Sequence, residues 1–122
     1  MSTVLIVEDN EKNMKLARDV LQAKGYKTLE AATGEEGVKL AKERKPDLIL
    51  MDIQLPGMDG LAATALLKAD DATRKIPVIA LTALAMKGDA ERILAAGCDG
   101  YIAKPMRYQP FLAAIALHLV PS

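Results

Sequence analysis

The feature that most constrains the fold is the alternation of short apolar runs with longer amphipathic stretches along the 122 residues of the chain. Several of the short runs are apolar at consecutive positions, which is typical of strands buried on both faces of a sheet. We predict five strands, at residues 4–7, 28–31, 47–51, 77–81 and 100–103. Because strands that alternate with helices form parallel sheets covered by helices, the expected fold class is α/β.

Helix signals lie between and after these runs. Apolar residues at helical spacing mark a first helix, which Gly25 ends. Thr33 and Glu36 have the spacing of a capping box and begin a second helix, which ends before Pro46. The remaining helices are expected over about residues 61–67, over about residues 87–96 and from about residue 110 onward.

Composition excludes several classes of protein. Lys and Arg number 16, as do Asp and Glu, so the chain lacks the basic field that attracts nucleic acid. The first apolar run is too short for a signal peptide and no run could span a bilayer, so we expect a cytoplasmic protein without a membrane partner. Cys98 is the single cysteine and is expected to be a small buried hydrophobe. With one Phe, three Tyr and no Trp, the core should be aliphatic.

Polar side chains gather where the predicted strands end, and in open parallel sheets ligands bind at that edge. Glu8 and Asp9 follow the first strand and Asp52 ends the third, while Thr82 ends the fourth and Lys104 the fifth. Clustered carboxylates repel one another unless a cation is present, and a divalent ion that prefers oxygen ligands is the simplest partner. Mg²⁺ is the expected ion, with Mn²⁺ as the alternative.

Each of these residues also has an ordinary interpretation when it is taken alone. An acidic pair after a strand is more often a solvated turn, a strand-end threonine is more often a cap, and a lysine is more often a surface charge. Asp52 favours a functional interpretation over these ordinary ones. It follows a run that should be buried on both faces, so its carboxylate is held at the edge of the sheet. A carboxylate held there can act as a nucleophile toward phosphorus. Lys104 precedes Pro105, and a turn at that bond could aim its ammonium inward.

In this order the residues resemble the receiver domains of bacterial two-component systems over nearly the whole chain. Five segments carry the resemblance, at residues 5–10, 45–52, 55–60, 77–83 and 101–105. The resemblance implies a flavodoxin-like, doubly wound (βα)5 fold with strand order 2-1-3-4-5. It also implies one receiver domain over residues 1–122 without an output domain, and a phospho-accepting signalling protein rather than an enzyme.

The resemblance also assigns roles to the residues at the strand ends. Asp52 is implied as the phospho-acceptor, Lys104 as the counter-ion of the phosphoryl group, and Thr82 as the hydroxyl that closes on it. Tyr101 is implied as the aromatic ring that changes rotamer together with Thr82. The implied metal ligands are the carboxylates of Glu8, Asp9 and Asp52 and the backbone carbonyl of Gln54.

The family further implies the partners. A histidine kinase or a histidine phosphotransfer protein would supply the phosphoryl group, and a downstream protein would dock on the fourth helix, the fifth strand and the fifth helix. Residues 10–16 and 82–89 resemble the single-domain DivK type of cell-cycle regulator. Receivers attached to hybrid histidine kinases contain similar sequences in these two segments.

Other functions of an α/β chain were weighed against this interpretation. A haloacid dehalogenase needs a second acid two residues after its nucleophile, where this chain has Gln54. A dinucleotide-binding module needs a glycine-rich turn after the first strand, where this chain has acids. A phosphorylation-independent interaction module of the same fold stays open, because fold does not imply function.

Overall fold

The computed structural model describes residues 2–55, 57–82, 87–103 and 108–118, which form a parallel sheet covered by helices. The strands are β1 (Thr3–Val7), β2 (Lys27–Ala31), β3 (Leu48–Asp52), β4 (Val78–Thr82) and β5 (Gly100–Ala103). All neighbouring strands run parallel, in the order β2-β1-β3-β4-β5. The predicted flavodoxin-like α/β fold with strand order 2-1-3-4-5 is therefore confirmed, with strand ends that differ from the prediction by at most one residue.

The helices are α1 (Glu11–Ala23), α2 (Gly34–Arg44), α3 (Gly60–Ala69), α4 (Lys87–Ala95) and α5 (Tyr108–His118). Their starts lie within one or two residues of the predicted ones, and α3 continues two residues beyond its predicted end at Leu67. Helix α3 begins at Gly60 because the side chain of Asp59 caps it, its Oδ1 accepting a hydrogen bond of 2.8 Å from the Ala62 N–H. Helix α5 begins two residues before Pro110, since proline is tolerated in the first turn, where its missing N–H has no helical partner.

Side-chain caps also begin the first two helices. The hydroxyl of Thr33 accepts a hydrogen bond of 3.1 Å from the Glu36 N–H, as the predicted capping-box spacing requires. Asn10 accepts the Asn13 N–H in the same way at the start of α1, at 3.1 Å. Both caps lie at the edge of the sheet where β1 and β2 end, so they direct α1 and α2 away from that edge.

The core lies in two layers, one on each face of the sheet. Helices α2, α3 and α4 pack their apolar residues on one face, and α1 and α5 pack theirs on the other. Alternate residues of a strand enter opposite layers, so Leu5 belongs to the first layer and Ile6 to the second. Among the described residues the core is mainly aliphatic, as expected, with Phe111 of α5 fully buried in it as well.

Cys98 is buried beside α3, as expected. Burial raises the pKa of the Cys98 thiol, which keeps the group protonated and unreactive at neutral pH. Among the described residues, no helix combines the length and the apolar character that a bilayer crossing requires.

Two glycines allow helices to approach the strands that carry the polar edge. A Cβ atom at Gly37 of α2 would lie 2.7 Å from Cγ2 of Val7, the last residue of β1. A Cβ atom at Gly60 would collide with the backbone carbonyl oxygen of Asp52. Any larger residue at either position would therefore push a helix away from the end of β1 or β3.

At the edge of the sheet opposite the acidic residues, Lys68 of α3 contacts the segments that precede β4 and β5. Its ammonium donates to the Ile76 carbonyl at 2.8 Å and to Oδ2 of Asp99 at 2.9 Å. The same Asp99 oxygen accepts the Val78 N–H at 2.8 Å. The Lys68 side chain is only 20% exposed, so this ion pair is shielded from water better than the Lys42–Asp70 pair, whose lysine is 48% exposed.

We expect Lys68→Met to lower the free energy of unfolding by about 1.5–3 kcal/mol, because methionine keeps the alkyl stem and removes the charged donor. Urea denaturation monitored by circular dichroism measures the change. Lys42→Met is the control, since the Lys42–Asp70 pair has a 48% exposed lysine and should contribute little. Equal stability losses in the two variants would contradict the account.

Candidate functional site

Three carboxylates converge at the carboxyl edge of the sheet. Glu8 and Asp9 come directly after β1, and Asp52 is the last residue of the neighbouring strand β3. One carboxylate oxygen from each residue lies within 4.8 Å of the other two. Glu8 is 2% exposed and Asp52 3% exposed, whereas Asp9 is exposed to solvent. The structure thus brings together the acids that the sequence places at the ends of these strands.

Asp52 is held by the strand before it and by the turn after it. Every residue of β3 is buried, and the Ile53 N–H continues the ladder by donating to the Leu81 carbonyl at 3.2 Å. The Gln54 N–H then donates to Oδ1 of Asp52 at 2.9 Å. The carboxylate is therefore fixed against its own backbone, while the Gln54 side chain faces solvent.

Glu8 is fixed by two donors from the start of α1. The Asn10 N–H donates to Oε1 of Glu8 at 3.2 Å, and the Asn13 side-chain amide donates to the same oxygen at 3.3 Å. The Glu8 N–H donates to the Ala31 carbonyl at 2.9 Å and so ties the residue to the end of β2. The sequence analysis missed the contact of Asn13, although the spacing from Asn10 to Asn13 is that of a helix cap and could have marked the turn.

The other predicted site residues differ in how far the structure describes them. Thr82 is 1% exposed and is the last residue of β4. Asp52 pairs with Leu81, the residue that precedes Thr82 on this neighbouring strand. Tyr101 lies in the outer strand β5 and is 48% exposed. Lys104 lies outside the described residues, so its predicted position stays a prediction.

A groove of about 540 Å³ opens beside the acids, on the side of β2. Its lining includes an ion pair in which Nη1 of Arg18 lies 3.1 Å from Oε1 of Glu30. Its walls include Glu8, Asp9, Met14, Lys15, Ala31 and Ala32. Because Glu8 and the exposed Asp9 line this groove, solutes can reach the acidic edge from this side.

The donor set fits a hard divalent cation. Carboxylates are the oxygen ligands that Mg²⁺ and Ca²⁺ use, and two ligands on opposite sides of Mg²⁺ stand about 4 Å apart. The 4.8 Å spread of the three carboxylates is close to that separation. The exposed Asp9 leaves one side of the cluster in contact with water, which a metal with several water ligands needs.

Comparison with known proteins agrees with the geometry. Residues 4–116 match the family described as the response regulator receiver domain. The polar-differentiation response regulator DivK of Brucella anthropi is 56% identical over 117 residues, which cover 96% of this chain and 95% of the relative. DivK of Brucella ovis is 55% identical with the same coverage.

Solved structures give the same result. The receiver domain of the sensor histidine kinase PA1611 from Pseudomonas aeruginosa, which holds a magnesium ion in its active site cleft, is 37% identical with a TM-score of 0.89 and covers 96% of each chain. The chemotaxis response regulator CheY4 of Vibrio cholerae is 25% identical with a TM-score of 0.93, over 98% of this chain and 99% of the other.

We expect Mg²⁺ to raise the thermal midpoint of unfolding of this protein after treatment with EDTA, because the folded state alone brings the three acids together. At a free concentration of about ten times the dissociation constant, binding stabilises the fold by about 1.4 kcal/mol. Differential scanning calorimetry measures the shift.

Asp9→Asn should remove most of that shift, whereas Glu43→Gln, which neutralises an exposed acid on α2, should retain it. A shift of equal size in both variants would show that Mg²⁺ binds elsewhere.

Proposed function

This chain belongs to the response regulator receiver domain family, whose members accept phosphoryl groups in two-component signalling, and we propose that Asp52 is the acceptor. The observation that carries the proposal is the position of Asp52. It is buried at the carboxyl end of β3, with the carboxylates of Glu8 and Asp9 beside it.

The reaction would form an acyl phosphate. A carboxylate oxygen of Asp52 attacks the phosphorus of a phosphohistidine, the phosphorus–nitrogen bond breaks, and the electron pair and a proton remain with the departing imidazole. Little covalent chemistry is needed from the protein, because positioning and charge stabilisation supply most of the catalysis of phosphoryl transfer. The hydrogen bond from the Gln54 N–H to Oδ1 orients Asp52 for this attack.

We assign the cation site to Glu8, Asp9, Asp52 and the backbone carbonyl of Gln54, with Mg²⁺ as the ion and Mn²⁺ as the alternative. Bound there, the ion would neutralise charge on the transferred phosphoryl oxygens. Lys104 would bind the same oxygens from the β5 side, since it directly follows the last residue of that strand. The magnesium ion in the PA1611 receiver domain supports this choice of metal.

The donor of the phosphoryl group follows from the family, which pairs receivers with histidine kinases. We propose that a histidine kinase or a histidine phosphotransfer protein modifies this chain in the cytoplasm. The likeness to the polar-differentiation regulators DivK supports a role in polar differentiation and the cell cycle, carried out by a single receiver domain.

The output would be a change of surface on α4, β5 and α5 that a downstream protein recognises. Thr82 ends β4 and Tyr101 lies in β5, where it pairs with Ala80 of β4. Movement of the Thr82 hydroxyl toward the phosphoryl group would let the Tyr101 ring turn inward, because the two residues lie on neighbouring strands. Such a packing switch changes one bistable surface and leaves the fold intact.

Two other functions are weighed against this one. A receiver that belongs to a hybrid histidine kinase is favoured by the likeness to PA1611, although the DivK relatives share more of the sequence. A phosphorylation-independent module of the same fold would have no use for a buried acidic cluster, so the buried Glu8 and Asp52 argue against it.

We expect acetyl phosphate with Mg²⁺ to modify the chain at one residue, and Asp52→Asn to abolish the modification, since the amide is not a nucleophile toward phosphorus. Intact-protein and peptide mass spectrometry measure this. Asp47→Asn, at an exposed acid just before β3, is the control and should be modified like the unaltered chain. Stable modification of another residue, or full modification in EDTA, would overturn the assignment.

We expect the Thr82→Ala variant to be phosphorylated at Asp52, but only part of the phosphorylated protein should adopt the active surface on α4, β5 and α5. To change the surface from about 1:99 to about 99:1, phosphorylation must favour the active state by roughly 5.5 kcal/mol. A lost hydrogen bond to a charged group removes about 1.5–3 kcal/mol of that, which leaves between about 40% and about 90% of the phosphorylated protein active.

The amide shifts of Tyr101 and Ile102 on phosphorylation, measured by NMR, report this population. Thr82→Ser keeps the hydroxyl and should show the full change. If Thr82→Ala also showed the full change, the hydroxyl would not be part of the switch.

A further inference from the structure

The first turn of α1 contains a side chain that the phosphoryl-transfer roles leave unexplained. Asn13 is half-buried, and its amide lies 3.3 Å from Oε1 of Glu8. Glu8 is 2% exposed, so its carboxylate has exchanged most of its water for protein groups. A buried carboxylate of this kind depends on the donors that surround it.

We propose that Asn13 is a positioning residue that holds Glu8 in the orientation required for the cation. The inference rests on the proposed function, because it concerns the same metal site. Donors that contact a metal ligand orient it, and their loss commonly weakens metal binding at least tenfold. Asn13 is placed to do this through Glu8 without contacting the metal itself.

Glutamate has a greater need of such a donor than aspartate at the same position. Its longer side chain has one more rotatable bond, so more conformational freedom is lost when its carboxylate is fixed. The Asn10 N–H and the Asn13 amide both donate to Oε1, at 3.2 and 3.3 Å. Two donors on one oxygen, one from the backbone and one from a side chain, restrict the rotation of the carboxylate about its last bond.

The role of the Asn13 side chain is separable from the start of the helix. The cap of α1 uses the backbone N–H of Asn13, which donates to Oδ1 of Asn10 at 3.1 Å. Any residue except proline at position 13 keeps that donor. A substitution of Asn13 therefore removes the contact with Glu8 while the helix cap stays in place.

The test compares two amides on the same helix. Asn13→Leu removes the donor to Glu8 and keeps the branched shape and the number of heavy atoms of the side chain. Gln22→Leu is the matched control, because the Gln22 amide donates to the Thr28 hydroxyl at 2.9 Å, far along α1 from the acids. Isothermal titration calorimetry with Mg²⁺ on the unphosphorylated chains measures affinity, and the thermal midpoint in EDTA reports the fold.

We expect Asn13→Leu to weaken Mg²⁺ binding about tenfold or more, as the loss of a hydrogen bond to a charged metal ligand implies, and Gln22→Leu to change it less than twofold. Asn13→Ala should give the same loss and serves if leucine disturbs the fold. In a Glu8→Gln background, Asn13→Leu should have no further effect on affinity, because Asn13 acts through the Glu8 carboxylate.

Unchanged affinity in Asn13→Leu and Asn13→Ala would overturn the role of Asn13, as would an equal loss in Gln22→Leu. An effect of undiminished size in the Glu8→Gln background would also overturn it, because a purely structural role would persist there. Absence of Mg²⁺ binding to the unaltered chain would instead overturn the metal site, and this inference with it.

Discussion

The repulsion among three carboxylates at one edge of the sheet is the constraint on which the site depends. Oxygens of Glu8, Asp9 and Asp52 lie within 4.8 Å of one another, and two of these side chains are buried. Like charges held this close repel one another, and the repulsion is screened least between the buried groups. Donors from the Gln54 backbone and the Asn13 side chain offset part of this cost. A divalent cation would supply opposite charge at the point of closest approach, which links metal binding to the readiness of Asp52 to accept a phosphoryl group.

The fold maintains this cluster by bringing strand ends and helix starts close together. Parallel pairing aligns the ends of β1 and β3, so that Val7 stands opposite Met51 and the acids follow immediately. Glycine at position 60 lets α3 begin against the Asp52 carbonyl, because a side chain there would collide with that carbonyl. The start of α3 therefore lies beside Asp52, at the end of β3. The stabilising contacts of Lys68 lie at the other edge of the sheet, in the loops that precede β4 and β5. The contacts of Lys68 thus stabilise the edge where the strands begin, whereas the acidic cluster lies at the edge where the strands end.

Most of the fold could be predicted, because the strands are continuous apolar runs and the helices carry recognisable caps such as Thr33. The convergence of the acids was also predictable, since parallel strands end at a common edge. The start of α3 was predicted to within one residue, and the side chain of Asp59 fixes that start as its cap. The spacing of Asn10 and Asn13 could have marked the turn between β1 and α1, but the contact of Asn13 with Glu8 was missed because it depends on the path of that turn. The roles of Lys104 and Tyr101 remain predictions, because they depend on the phosphorylated state.

A crystal structure of the protein with Mg²⁺ and beryllium fluoride, a stable mimic of a phosphoryl group, would test the account most directly. The mimic binds carboxylates that can form acyl phosphates, so its position identifies the acceptor. The account predicts beryllium bonded to a carboxylate oxygen of Asp52, with Mg²⁺ contacting Glu8, Asp9, Asp52 and the Gln54 carbonyl, and with Glu8 held by Asn13. Beryllium fluoride on another carboxylate, or Mg²⁺ bound away from these three acids, would contradict it.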